Sequence, residues 1–331
     1  MTEPGPADAA ALATEAWALV LASPRDAQAL AAAALTGTAD PDVRSLAFRA
    51  LGMASLEVGD VDTSIAQLSD AVAEGQRGAP PETLAEAQMA LALAMQHRGD
   101  LDEAIEHAER AVASAPTMPR LLHQLGQILE RATRVADAIE AYGEAERLAV
   151  AQDDQLTLAR VWCNRAVIRI YRAEFDLAFQ DLRAAQEASL ATGQHHLATL
   201  VVANFGFLAV RRGDLVEALA RLEEVTPAME AAGGLRQGIH ELDRCEVQLL
   251  AGMPGEAVGS GRIAIRVLDA AGMGMELAEA KVLTAQAALR ADDPTLAIDL
   301  AGDALDALRR HRAAPWEALA REVMVRAEWR G

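Results

Sequence analysis

Apolar residues along the chain fall at i, i+3 and i+7 rather than at every second position, which predicts helices and no strands. A column of small residues marks one point in each of eight successive stretches: Ala27, Ser64, Ala104, Ala138, Ala178, Ala218, Ala257 and Ala297. An apolar residue follows almost every one: Ile65, Ile105, Ile139, Phe179, Leu219, Val258 and Ile298. Seven positions beyond the anchor lies a second small or apolar column: Ala71, Ala111, Ala145, Ala185, Val225, Ala264 and Ala304. Twelve positions before it lies a third: Gly52, Ala92, Gly126, Ala166, Gly206, Cys245 and Ala285. Small side chains in register on two helices let their backbones approach closely, and the flanking apolar residues fill the seam.

Between the third column and the anchor sits a turn, seen most plainly in Gly99-Asp100-Leu101-Asp102-Glu103-Ala104-Ile105. Gly99 can adopt a positive φ and close the incoming helix, and Asp100 or Asp102 can cap the outgoing one. Each unit is therefore a helical hairpin, and because one hairpin cannot bury its apolar face alone, successive hairpins must stack. Helices are expected over 7–21 and 24–36, 41–58 and 61–75, 81–98 and 101–115, and 118–132 and 135–151. The series continues with 154–173 and 175–192, 194–212 and 215–232, 235–251 and 254–272, and 275–290 and 294–313. The fold class is all-α: a right-handed α-solenoid of about eight hairpins over 7–313, after a disordered 1–6 and before a terminal helix over 315–330. No domain break is expected.

These units resemble the tetratricopeptide repeat. Its order of bulky, Leu, small and turn residues is met by Phe48, Leu51, Gly52 and Gly59, and partly by Leu122, Leu125, Gly126 and Leu129. The last segment reads as the incoming helix of a ninth unit, with Trp316, Leu319, Ala320 and Val323 facing back and Met324, Val325 and Trp329 uncovered. That pattern predicts a fragment of a longer protein, or a partner seated at this end.

Composition narrows the partners. A formal net charge of −19 over 331 residues repels phosphates, so neither nucleic acid nor an anionic membrane surface is an expected ligand. No apolar run reaches the roughly 18 residues that span a bilayer, and the first residues lack the basic start of a signal peptide. Cys163 and Cys245 make no disulfide framework and suit a reducing cytoplasm; both read as small buried filler.

Catalytic signatures are absent. There is no Gly-rich phosphate loop, no His-Glu-x-x-His, no Cys-x-x-Cys and no Gly-x-Ser-x-Gly, so no catalytic residue, metal or cofactor is assigned. His195 and His196 are adjacent at a helix start and point in different directions, and the other histidines share no ligand spacing. Arg165 and Arg244 stand where the repeat wants Leu, and Arg169 lies one turn beyond Arg165. A buried guanidinium demands a carboxylate. Glu174, Asp176 or Asp181 are the candidates for the first unit, and Asp243 or Glu246 for the second. Two roles fit these arginines: ion pairs between hairpins, or an anion clamp on a groove.

In tetratricopeptide arrays the incoming helices line the concave face. By that resemblance the lining here would include Arg49, Gln96, His97, His123, Gln127, Glu130, Arg160 and Arg211. The set is polar and leans basic; it is either a solvated helix face or a groove holding an extended peptide by its carboxylates.

Five longer stretches stand out: Gly99-Asp100-Leu101-Asp102-Glu103-Ala104, Leu125-Gly126-Gln127-Ile128-Leu129, Asn164-Arg165-Ala166, Asn204-Phe205-Gly206-Phe207 with Arg211-Arg212-Gly213-Asp214, and Ala271-Gly272-Met273-Gly274 with Leu277-Ala278-Glu279-Ala280. Together they resemble the N-terminal repeat region of actinobacterial CHAT-domain proteins. In that family a caspase-like protease domain follows the repeats, and nothing in this chain corresponds to it. The resemblance implies a sensing or docking module. The expected function is a non-catalytic scaffold that binds a protein or peptide and signals to an effector domain; the alternative is self-association through exposed terminal helices.

Overall fold

The computed structural model describes residues 6–310 and 313–329. The expectation of disorder over 1–6 falls mostly outside them, and Pro6 opens the first helix. Contacts divide the chain into two compact units, Met1–Arg165 and Ala166–Gly331.

The first unit contains α1 (Pro6–Leu19), α2 (Pro24–Thr36), α3 (Pro41–Glu57), α4 (Val61–Gln76), α5 (Pro81–Arg98), α6 (Leu101–Ser114), α7 (Pro119–Arg131) and α8 (Val135–Gln152). The boundary falls inside α9 (Gln155–Tyr171). The second unit continues with α10 (Phe175–Ala191), α11 (His195–Arg212), α12 (Leu215–Ala232), α13 (Gly234–Leu250), α14 (Pro254–Ala270), α15 (Gly274–Arg290), α16 (Pro294–Arg310) and α17 (Ala314–Glu328). Among the described residues there is no strand, and the fold is an all-α solenoid of helical hairpins.

Each unit has the same wiring. Within the first, every helix packs on the next from α1 to α8, and α1, α3, α5 and α7 also touch one another in series. Within the second, α13, α15 and α17 form the same kind of row. Along α1 to α7 and α13 to α17 the odd-numbered helices therefore form one close layer, the inner, and the even-numbered ones the outer.

The three small-residue columns are the seam between layers. Ala104, Ala138, Ala178, Ala218, Ala257 and Ala297 are fully buried, as are Ala71, Ala111, Ala145, Ala185, Ala264 and Ala304. A side chain longer than Ala at these points would push the layers apart. The apolar residues after the anchors are buried less completely, and Phe179 is exposed apart from its edge-on packing against Phe205, with ring centroids 5.7 Å apart.

One backbone feature fixes the hairpins. Five residues before each anchor from Ser64 onward the chain turns left-handed, at Gly59, Gly99, Thr133, Ala173, Gly213, Gly252 and Asp292. The amide after each of these residues then bonds a carbonyl five residues back, as in Asp100 N to Met95 O and Glu174 N to Arg169 O, both within 3.0 Å. The Asp that follows caps the next helix at Asp60, Asp214 and Asp293, whose side chains accept from Thr63, Glu217 and Leu296 amides. Asp100 holds the cap position, but its carboxylate pairs with Arg98 instead.

At the far end of the second unit, α17 turns Ala320, Val323 and Ala327 inward, and Trp316, Leu319 and Met324 pack on the same cluster. Met324 is thus partly covered, contrary to expectation, because it extends the stripe of Ala320 and Val323. Val325 and Trp329 are exposed, at 56 % and 89 %.

Candidate functional site

Inner-layer helices carry the polar side chains that are not consumed by the seam. In the first unit Arg49 is buried, its guanidinium lying 4.2 Å from the centroid of the Trp17 ring and paired with Glu86. Its Nε is buried without a partner. Arg120 shares Glu86, so one carboxylate on α5 holds two guanidiniums, from α3 and α7. Arg160, on α9, is exposed and close enough for its charge to act on both Arg120 and His123.

His123 is buried, with its ring centroid 5.9 Å from that of Tyr142, and Asn164 Nδ2 donates to its Nε2 at 3.0 Å. An amide nitrogen only donates, so the ring is neutral and its proton sits on Nδ1. Burial first, and the Arg160 charge second, push the His123 imidazole down to about 4. Glu130 accepts from the Tyr142 hydroxyl at 3.1 Å; burial raises its carboxyl despite that hydrogen bond. Gln127 is half-buried, as is Gln96, whose Oε1 has no partner. His97 is exposed in the last turn of α5.

The three buried-slot arginines all hold carboxylates. Arg165 grips Glu146 of α8 with both terminal nitrogens, at 2.5 and 3.2 Å, and Trp162 Nε1 donates to the same carboxylate. Arg169 bonds Asp181 at 2.6 Å and the Leu177 carbonyl at 3.3 Å. Arg244 bonds Glu241 at 3.0 Å and reaches Glu223 at 3.4 Å. Asp181 was among the expected partners, whereas Glu146, from the helix preceding Arg165, and Glu241 were not. Arg244 ignores Asp243 and Glu246 because neighbours one or two positions away face elsewhere on a helix, whereas Glu241, three residues back, shares its face.

The second unit contains a cavity of about 570 Å³ on its inner layer. Val167 and Tyr171 of α9, Asn204, Phe207 and Arg211 of α11, and Asp243, Glu246 and Leu250 of α13 line it. Tyr171 is 66 % exposed and its ring lies 5.3 Å from that of Phe207, making an aromatic shelf at the mouth. Asp243 is open to the cavity yet walled by protein. That low-dielectric surrounding first, and the Glu246 charge second, push its carboxyl up to about 7. Of the residues expected from sequence to line a groove, Arg211 is the one found in this cavity.

Tyr171, Phe207, Asp243 and Glu246 were not among the expected site residues. A signal for the aromatic pair is present in composition: of seven Phe and Tyr residues in the chain, five lie between 171 and 207. The carboxylates carry none, since acidic residues are plentiful on every helix.

Paired helices stacked in two layers make an α-solenoid, a fold similar to that of tetratricopeptide-repeat structures. The family model for the tetratricopeptide repeat matches residues 85–128. No curated protein sequence matches the chain. Among solved structures, the chain is similar to a Rap protein complexed with Competence and Sporulation Factor, at 11 % identity, covering 98 % of each chain with a TM-score of 0.66. It is also similar to the apo form of the quorum sensor NprR from B. thuringiensis, at 12 % identity over 90 % of this chain and 86 % of that one, TM-score 0.62. A third similar structure is a signal-transduction ATPase with a tetratricopeptide repeat sensor from Pyrococcus horikoshii. Identity there is 11 % over 94 % of this chain and 50 % of that one, TM-score 0.66. At these identities the likeness is one of fold. No described helix is long and apolar enough to cross a membrane.

Proposed function

We infer that the chain is a non-catalytic binding scaffold whose inner-layer helices hold a protein or an extended peptide. The observation that carries this reading is the 570 Å³ cavity, which offers an aromatic shelf and charged groups that form no ion pair with any described residue: Arg211, Asp243 and Glu246. The similar Rap structure is complexed with a named factor, and the NprR structure is of a quorum sensor, which agrees with a ligand-binding role for this fold. Arg211 is the exposed basic group of the expected groove that lines this cavity, and it serves as the probe. The net charge of −19 favours neither nucleic acid nor an anionic membrane as partner.

The test is selection of peptides from a displayed random library on the purified chain, repeated with Arg211→Glu and with Tyr171→Ala. Enriched sequences that bind the wild type, and bind a correctly melting variant at least tenfold more weakly, support the reading. A library that enriches nothing on the folded chain overturns it. Within this reading, the CHAT-protein resemblance makes the chain the docking or sensing module of a larger regulatory protein, acting in the cytoplasm. An encoded caspase-like domain after Gly331 is the outcome that supports this; a reading frame with no such domain refutes it.

A second reading rests on α17, which leaves Val325 and Trp329 exposed: copies of the chain pair through this helix. Light scattering at dilute and high concentration separates the two. A mass that doubles with concentration and reverts in Trp329→Ser supports self-association, and a constant monomer excludes it.

A further inference from the structure

The inner layer of the second unit is acidic in a way that intramolecular pairing does not explain. Asp243 and Glu246 of α13 line the cavity, and neither forms an ion pair with any described cation. Glu276 and Glu279 of α15 lie nearby and form no ion pair with a described residue either; burial, then the charges of Glu276 and Glu246, raise the Glu279 carboxyl. The arginine adjacent in sequence to Asp243, Arg244, is spent on Glu241 and Glu223. Four carboxylates thus crowd two neighbouring inner helices, and the fold bears their mutual repulsion.

We propose that this cavity binds a lysine or arginine side chain of an extended peptide, its cationic head between Asp243 and Glu246 and its aliphatic stem on the Tyr171–Phe207 shelf. The proposal rests on the binding reading above and names its ligand class. Three observations favour this occupant. The carboxylates without cation partners supply charge complementarity. The exposed aromatic shelf suits a long methylene chain and, through its ring faces, a cation. Val167, Val210 and Val247 complete an apolar wall suited to the residue beside it. Arg211 stands in the same cavity and disfavours a free polyamine, while its guanidinium can donate to a peptide carbonyl or to an acidic neighbour. Among the described residues no three metal-ligating side chains converge, which sets a bare divalent cation aside.

The probe is a displayed library of random hexapeptides, selected in parallel on the wild-type chain and on Asp243→Asn/Glu246→Gln, each first shown to melt cooperatively. Wild-type selection is expected to fix a Lys or Arg at one position. The corresponding synthetic peptide with that residue changed to Met should bind roughly tenfold to hundredfold more weakly, the worth of a charge-assisted hydrogen bond. The double variant should lose the basic preference. Tyr171→Ala, which leaves both carboxylates in place, should weaken the same peptide and keep its Lys or Arg preference. Enrichment without a basic position, or a basic preference unchanged in the double variant, overturns this inference and leaves peptide binding standing. Enrichment of nothing overturns both.

Discussion

The ring of Tyr142 lies directly on the bare backbone of Gly126, so that a Cβ added to the glycine would come within 2.7 Å of Cδ1 and 2.9 Å of Cζ. Tyr142 is fully buried and cannot swing away, since its hydroxyl is tied to Glu130. Gly126→Ala should therefore cost stability: overpacking of about 1–3 kcal/mol, relieved by up to about 1 kcal/mol from the better helix propensity of Ala. Gly206, at the same place in a later hairpin, has ordinary room, its nearest neighbour being Arg221 Cβ at 3.4 Å. Gly206→Ala should be neutral or stabilising by up to about 1 kcal/mol. Urea unfolding of the two variants measures the contrast, and equal effects would show that the column is set by something other than this contact.

That contrast also explains what the sequence made legible. The columns containing Gly126 and Ala138 were readable because a seam between helices tolerates few side chains, so the same small residues recur. Helix positions followed, since the turn repeats with them. Arg165 and Arg244 were recognisable as misfits in an apolar slot, but Glu146 and Glu241 were not recognisable as their partners. Glu146 comes from the neighbouring helix, and Glu241 was hidden among several nearby acids. The cavity was least legible. Asp243 and Tyr171 lie on different helices of different hairpins, and nothing in a forty-residue period brings them together; only the stacking does.

The left-handed turn before each anchor gives a second prediction. Gly59, Gly99, Gly213 and Gly252 meet it without cost, whereas Ala173 holds φ +58° with a Cβ. A left-handed L-residue costs about 1–2 kcal/mol, and glycine loses about 0.5–1 kcal/mol in unfolded-chain entropy. Ala173→Gly should thus raise stability by about 0.5–1 kcal/mol, and Gly99→Ala should lower it by a similar amount. The urea midpoints should move in opposite directions; a destabilised Ala173→Gly would mean the methyl group makes contacts that outweigh its strain.

Arg169 is predicted to matter for folding rather than for recognition. Its partner Asp181 is almost wholly buried, and the pair joins α9 to α10. Arg169→Leu removes one charge-assisted hydrogen bond from that carboxylate, at a cost of about 1.5–3 kcal/mol, and Arg169→Leu/Asp181→Leu measures how much of the loss is electrostatic. Chemical unfolding of the single and double variants gives the answer. If the double variant is no more stable than the single, the cost lies in lost packing and not in the lost charge pairing.

Asp243 makes stability depend on pH, with a sign opposite to that of an ordinary ion-paired acid. Its carboxyl titrates at about 7 in the fold, against 3.8 for the free side chain, because the cavity walls and then Glu246 disfavour the charge. The folded state therefore holds this proton more tightly than the unfolded chain does. The resulting stability is fully present below pH 3.8 and is lost as pH rises through about 7. Asp243→Asn cannot ionise, so it should melt close to the wild type at pH 4 and above it at pH 8. The residual slope would reflect Glu279, whose carboxyl is raised by burial and by the Glu276 and Glu246 charges. Thermal melts across this range are the measurement, and a gap independent of pH would contradict the assignment. A bound basic side chain should reverse the order at pH 8, because it supplies the wild-type carboxylate with the counter-charge the fold withholds and offers the asparagine variant nothing comparable.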